Sequence, residues 1–396
     1  MKHRIVVLGA GYAGATAAGR LAKRLHRDDA LITLVNADPD FVERVRMHQL
    51  AAGQDLRPRP LGEYFAGTGV RVVTALVTAV DVDRKTVDLD GGESLGYDSL
   101  VYALGSVGAD HGVPGVAEYA HSVAGKQVAL RVRARLSELA PGATVVVVGG
   151  GLTGIEAATE IAETRPDLAV SIIARGGAGD WLSEKAQRHL RGAFDRLGIT
   201  VHDHIDITRV AANAVIDSAA REIPADLTVW TAGFAAHPLA AATALQVSGT
   251  GQIVVDRSMR SVSHPDVYAV GDAVLAEGAG GKPLRMSCAS GGPTAWQAAD
   301  ALAARLTGRE VPETTIGYNF QCISLGRRDG IIQPVTPDDQ AKPTAITGRA
   351  AARIKELVCS GAAWGIGHPT LLMPSRRRHI AATGVAESGL VTPRRG

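Results

Sequence analysis

Two glycine turns of one pattern, each caught between an apolar strand and an Ala-rich helix, restrict this chain to a narrow set of folds. The first is Gly9-Ala10-Gly11-Tyr12-Ala13-Gly14, after Ile5-Val6-Val7-Leu8. The second is Gly149-Gly150-Gly151-Leu152-Thr153-Gly154, after Val145-Val146-Val147-Val148. A lone GxGxxG is weak; set between strand and helix it is a phosphate-binding fingerprint. Its glycines make the tight turn, admit a pyrophosphate to the backbone and bring the helix close to the strand. The free N–H groups and positive dipole end of the helix then face the phosphates. Two such turns predict two dinucleotides, and the chemistry that joins two dinucleotides is hydride transfer.

Composition agrees with a layered α/β protein. The chain has 396 residues, enough for two or three domains, with 46% hydrophobic and only 4% aromatic residues. A net charge of +2 gives no nucleic-acid footprint. Basic residues gather late, at Arg376, Arg377, Arg378, Arg394 and Arg395; they read as a solvated, partly disordered tail, with contact to a membrane surface or an acidic partner as the alternative. Cys288, Cys322 and Cys359 are few and widely spaced, which predicts a reducing, cytoplasmic setting and neither a disulfide framework nor a metal site. The uncharged stretch Leu227 to Val255 is broken by Gly233, His237, Pro238 and Gly249, so it reads as strand and loop rather than a membrane span.

Along the chain, the helix after Gly14 is followed by the strand Leu31–Val35, ending at Asn36. Dinucleotide sites usually carry an acid there for the ribose hydroxyls; Asn36 offers a carbonyl without charge, and Asp38 lies nearby. Val70 to Leu104, including Val77, reads as one antiparallel meander. A Gly- and Pro-rich linker follows from Gly108 to Gly115. The second β-α-β unit spans about Val123 to Gly233, its second strand ending at Ala174-Arg175. A strand at Val267–Val270 precedes Gly271-Asp272, and Pro293 predicts a helix starting there and running to Leu306. Beyond Gly308 the apolar pieces are short.

The ordered motifs resemble those of FAD-dependent flavoproteins of the pyridine nucleotide-disulfide oxidoreductase superfamily, with type II NADH dehydrogenases and apoptosis-inducing-factor-like reductases as the nearest branches. The motifs are GxGxxG at Gly9–Gly14, Ala103-Leu104-Gly105, GxGxxGxE at Gly149–Glu156, Thr231–Phe234 and Tyr268–Ala273. The resemblance implies two Rossmann-like domains, the second inserted in the first, with a small C-terminal α+β region. The division would be 1–110 and 241–307 for FAD, 111–240 for NAD(P)H and 308–396 for the remainder. It implies flavin contacts at Gly9, Gly11, Tyr12, Ala13, Gly14, Asn36, Val77, Ala103, Gly105, Gly271 and Asp272. It implies nicotinamide-dinucleotide contacts at Gly149, Gly151, Leu152, Thr153, Gly154, Arg175 and Gly233. Hydride would pass from nicotinamide to flavin N5 and on to a small, quinone-like acceptor. A flavoenzyme tailoring a secondary metabolite and a redox sensor without turnover are the alternatives. The chain lacks the CxxxxC of the disulfide reductases, and Ala362–Pro369 is too rich in Gly and Pro to predict the amphipathic membrane helix of type II dehydrogenases.

Individual side chains carry further expectations. N–H groups of Thr294 and Ala295 would face the flavin from the start of the Pro293 helix. Glu156 either complements the dipole of its own helix or, as the resemblance implies, works beside the nicotinamide and flavin. Cys288 is either an inert small side chain or a redox participant near the flavin. Arg44 and His48 follow the second strand, either beside the flavin or on a surface helix. Ala174-Arg175, with no acid, favours NADPH, because an acid there repels the 2′-phosphate and an arginine attracts it.

Overall fold

The computed structural model describes residues 1–381. In chain order, β1 (His3–Leu8), α1 (Tyr12–Arg24) and β2 (Ala30–Asn36) form the first unit; α2 (Met47–Ala51), β3 (Val70–Thr74) and β4 (Ser99–Tyr102) follow. The second unit has α3 (Lys126–Glu138), β5 (Thr144–Val148), α4 (Leu152–Thr164), β6 (Ala169–Ala174), α5 (Glu184–Leu197), β7 (Thr200–Asp203) and β8 (Leu227–Trp230). Then come β9 (Val267–Ala269), α6 (Cys288–Leu306), β10 (Phe320–Ser324), β11 (Gly330–Pro334) and α7 (Gly348–Gly367).

Two parallel sheets organise these elements. One has the order β9-β4-β1-β2-β3, so a strand from residue 267 onward completes the sheet begun at residue 3. The other has the order β7-β6-β5-β8, extended by Ala120–His121. In each, the strand before the glycine turn (β1 or β5) lies between neighbours reached in opposite directions. That is the switch point where open α/β sheets leave a crevice at the carboxyl ends of their strands. In the second sheet Val145 and Val147 pack on helices and Val146 and Val148 on the antiparallel strands Ile207–Ala211 and Ala214–Asp217, and both Ile5–Leu8 and Val145–Val148 are continuous buried apolar runs.

The expected single meander is divided. Val77–Asp81, Thr86–Leu89 and Ser94–Gly96 do form an antiparallel sheet, but Val70–Thr74 and Ser99–Tyr102 leave it for the parallel sheet. Ser99, Leu100, Val101 and Tyr102 are all buried, as a strand packed on both faces requires.

The helix expected at Pro293 begins five residues earlier, at Cys288, with Pro293 inside it. Gly291 and Gly292 depress helix propensity there, which hides the first turn and a half from a propensity argument. Thr294 and Ala295 are accordingly buried in the helix interior, and the free N–H groups of this N-terminus belong to Cys288 and its neighbours. Thr294 instead ties the Gly-Asp turn to α6. Its hydroxyl accepts from Gly271 N at 3.0 Å and donates to Ser290 O at 2.8 Å.

The C-terminal region also departs from expectation. Residues 362–367, read as too glycine-rich for a helix, are the last turns of α7. Ala351, Lys355, Cys359, Ala363 and Ile366 form its buried stripe, so tertiary packing supplies what propensity lacks. Arg377 and Arg378 are not a free tail. Arg378 N donates to Arg24 O at 2.9 Å and Arg377 Nε to Ala22 O at 2.9 Å, so they satisfy carbonyls of the last turn of α1. Arg394 and Arg395 lie outside the described residues. Among the described residues, no helix is long and apolar enough to cross a membrane.

Buried Arg20 joins α1 to α6 through both carboxylate oxygens of Asp300, at 2.8 and 2.7 Å, and reaches Pro369 O at 2.9 Å. Removing it leaves Asp300 with only the more exposed Arg24. Arg20→Ala should cost about 1.5–3 kcal/mol of stability and Arg24→Ala less than about 1 kcal/mol, read from urea midpoints. Equal losses would mean that Arg20 is not the principal tie.

Candidate active site

The two glycine turns are built alike. A Cβ on Gly9 would lie 2.5 Å from Ala103 O, and one on Gly14 would lie 1.9 Å from Gly9 O. In the second turn, a Cβ on Gly149 would lie 2.6 Å from Thr231 Oγ1, and one on Gly154 would lie 1.9 Å from Gly149 O. These four glycines are dictated by packing. Gly11 and Gly151 are different: a Cβ there meets no atom within 4 Å. Each caps a helix whose first turn has no side-chain cap and no acid, leaving free N–H groups toward open space. The cradles therefore fit the pyrophosphates of two dinucleotides.

Both turns open into one cleft of about 940 Å³. Gly11, Tyr12, Ala13, Ala103, Gly105, Gly271 and Asp272 line its first half; Gly149, Gly151, Leu152, Thr153, Arg175 and Gly233 line the second. Among the described residues the buried Tyr12 hydroxyl has no protein partner, a polar atom free for a bound group. Asp272 accepts from Ser106 Oγ at 2.6 Å, and Arg44 holds the same serine through its carbonyl and hydroxyl at 2.7 and 2.9 Å. Burial pulls the Arg44 guanidinium below its ordinary value, against the nearby Asp272 charge.

Some expected contacts are not on the cleft wall. Asn36 braces the turn, accepting from Ala10 N at 2.8 Å and donating to Asp38 O at 2.7 Å. Asp38 in turn is paired with Lys126 of the second unit at 2.9 Å. Val77 is buried at the head of its strand and is not among the lining residues. At the end of β6, Ala174 is paired across the sheet with Asp203, whose carboxylate is engaged by Arg191 at 2.7 Å and Ala178 N at 2.8 Å. Arg175 is exposed to the cleft beside it.

Where the two halves meet, Glu156 is buried in the second turn of α4, not at the helix start. Its Oε1 accepts from Lys355 Nζ at 2.5 Å, Ser324 N at 3.0 Å and Ser324 Oγ at 3.1 Å. Lys355 also donates to Cys322 O at 3.0 Å. His48, buried and not on a surface helix, places Nε2 3.2 Å from Ser324 Oγ and Nδ1 3.8 Å from Glu156. Burial alone would raise the Glu156 carboxyl, but the Lys355 ammonium overrides it and holds the carboxyl below its ordinary value. Burial lowers Lys355, and the Glu156 charge more than compensates, so the ammonium is retained. His48 is driven by burial down to about 4, with Glu156 opposing, and is neutral at pH 7. Met47, Ala289, Val358 and Ala362 make the cleft wall apolar near this pair.

Lys355 and Ser324 carry no signal in the sequence; they lie 199 and 168 residues from Glu156, and only the packing of α7 and β10 on α4 brings them there. Cys288 opens onto the cleft, but surrounding protein raises its thiol above the ordinary value. Cys322 and Cys359 are pushed by burial to about 11. All three are thiols at neutral pH. Among the described residues no His, Cys, Asp and Glu group is placed to hold a metal ion.

His48 sets a pH dependence. Its folded value lies below the ordinary 6.5, so the unfolded chain binds the extra proton. Its contribution is complete above about pH 6.5 and is lost as pH falls toward 4. The stability of wild type relative to His48→Gln should therefore drop by about 3 kcal/mol across that window. Parallel pH profiles from urea unfolding would show that His48 is charged in the fold.

The profile of the pyridine nucleotide-disulphide oxidoreductase family matches residues 3–303. The NADH dehydrogenase-like protein Rv1812c of Mycobacterium tuberculosis is 32% identical over 315 residues, covering 73% of this chain and 77% of that protein. The demethylphylloquinone reductase NdbB of a Synechocystis strain is 28% identical, covering 88% of this chain and 90% of its own. The solved structure of NDH2 from Plasmodium falciparum in complex with NADH superposes with a TM-score of 0.78 at 14% identity, covering 94% of this chain and 97% of that one, a likeness of fold. The chain belongs to the pyridine nucleotide-disulphide oxidoreductase family and is an NAD(P)H-dependent flavin oxidoreductase.

Proposed function

We propose that this protein oxidises NADPH, in preference to NADH, and reduces a small, apolar, quinone-like acceptor. The observation that carries this reading is the buried Glu156–Lys355 pair at the apolar end of a cleft that also holds both glycine turns. Bound FAD supplies the redox centre between nicotinamide and acceptor. The chain's own residues bind, orient and charge-balance. The turns at Gly9–Gly14 and Gly149–Gly154 bind pyrophosphates through backbone N–H groups. Asp272, held by Ser106, offers a carboxylate to ribityl hydroxyls. Lys355, kept cationic by Glu156, provides a fixed positive charge where negative charge develops on the acceptor, with no reorganisation needed. Met47, Val358 and Ala362 keep water from that end and suit a flat ring. The relative named as a demethylphylloquinone reductase supports a quinone as acceptor. Three cysteines without disulfides support a reducing, cytoplasmic setting.

The nucleotide preference rests on Arg175, whose guanidinium meets a 2′-phosphate, while the neighbouring Asp203 is already occupied by Arg191. In stopped-flow bleaching of the flavin, NADPH should act at least as well as NADH, and Arg175→Ala should weaken NADPH roughly tenfold more than NADH, about 1.4 kcal/mol. An NADH preference indifferent to Arg175 reverses the assignment.

Glu156→Gln should slow NADPH-driven quinone reduction by more than roughly tenfold with FAD content unchanged. Because the substitution strands a buried ammonium, it should also cost about 3–5 kcal/mol of stability. The double variant Glu156→Gln/Lys355→Met removes that penalty. Stability restored with the rate still low separates a role in turnover from a role in folding; recovery of both would leave the pair structural.

A further inference from the structure

A second cavity, of about 410 Å³, shares Lys355 and Ser324 with the surroundings of the catalytic cleft. It lies between the β10–β11 turn, Gln49 of α2 and the first half of α7. Its wall carries Arg327, Arg328, Arg349, Arg353 and Lys355 against only Asp329 and Glu356.

The two acids are already engaged. Asp329 is bound by His189 at 2.7 Å and Arg196 at 2.5 Å, both from α5. Glu356 is bound by Arg46 at 2.6 Å and by Arg327 at 3.4 Å, and Lys355 by Glu156. Among the described residues, Arg328, Arg349 and Arg353 are left with neither an ion pair nor a side-chain hydrogen bond.

All three are exposed to solvent, and their positions give them no compensation from the helix itself. Arg349 and Arg353 are four residues apart on α7, where like charges repel. Both lie in the first two turns, where the positive end of the helix dipole opposes a cation. That first turn has no acid, and its N-cap Thr347 makes no side-chain cap. Three solvent-exposed guanidiniums without a protein partner among the described residues thus gather around a hollow, with the Glu163 carboxylate held at its edge by Arg327 N.

We propose that this cavity is a binding site for a small multivalent oxyanion, of the pyrophosphate or tricarboxylate kind, clamped by Arg328, Arg349 and Arg353. Planar guanidinium forks match the paired oxygens of phosphate and carboxylate groups. The volume takes about a dozen water-sized groups, enough for such an anion and not for a dinucleotide. A ligand there stands behind Lys355 and adds its field to that of Glu156. Anion binding at this site does not depend on the acceptor assigned above.

The test is thermal unfolding of the flavin-loaded protein in excess oxidised NADP, so that flavin and nucleotide together fill both glycine turns. Inorganic pyrophosphate and citrate are titrated separately against NaCl of equal ionic strength. At least one should raise the melting temperature saturably, by about 2 °C or more above the NaCl control. Arg349→Ala/Arg353→Ala should abolish the rise, and Arg328→Ala should weaken the anion at least tenfold by isothermal titration. No rise beyond NaCl, an undiminished rise in the double variant, or a rise confined to flavin-free protein overturns the proposal. Should the double variant fail to hold flavin, the Arg328→Ala titration decides alone.

Discussion

Burying an ammonium beside a carboxylate is the constraint on which the centre of this protein depends. Lys355 and Glu156 are each too costly to bury alone, so α4 and α7 are obliged to stay in one relation. Ser324, at the end of β10, donates to the same carboxylate and fixes the third element. His48 reaches that serine from α2. This end of the cleft is thus assembled from four stretches of chain, and its charge cannot be altered without disturbing the packing that forms it. In the reaction proposed above, this one interaction serves both charge placement and structural integrity.

Much of this is legible in the residues. The glycine turns, the strands before them and the helices after them follow from patterns that local sterics impose. A Cβ on Gly9, Gly14, Gly149 or Gly154 would overlap neighbouring backbone and, at Gly149 and Gly154, the Thr231 hydroxyl as well. Asp272 and Arg175 stand on the cleft for the same local reason, each at the carboxyl end of a strand. What is not legible depends on distance along the chain. Pairing Glu156 with Lys355 requires knowing where α7 lies, and α7 itself is hidden by its glycines. The start of α6 is masked because Pro293 gives a stronger local signal than Cys288-Ala289-Ser290-Gly291-Gly292. The meander misleads because alternation cannot say whether a valine strand pairs with its sequence neighbour or with a sheet laid down earlier.

Asn36 shows a subtler shift of role. A ribose-binding acid is the expectation at that position, but its amide holds Ala10 N and Asp38 O. The neutral side chain braces the glycine turn, and the nearby acid Asp38 is engaged by Lys126 from the other unit. The charge beside the first glycine turn is therefore balanced across the two sheets rather than within one.

The return of the late segment to α1 has a mechanical meaning. Asp29 accepts from His3 N through its carbonyl at 2.7 Å and from Ile380 N through its carboxylate at 2.9 Å. One residue clips the first strand and the last described residues together. Between them the chain forms a loop of nearly its whole length, closed without a covalent bond. The His3 N–Asp29 O bond is also the first rung of the parallel β1–β2 ladder, so a force applied across residues 3 and 380 would pass through Asp29 straight into that sheet.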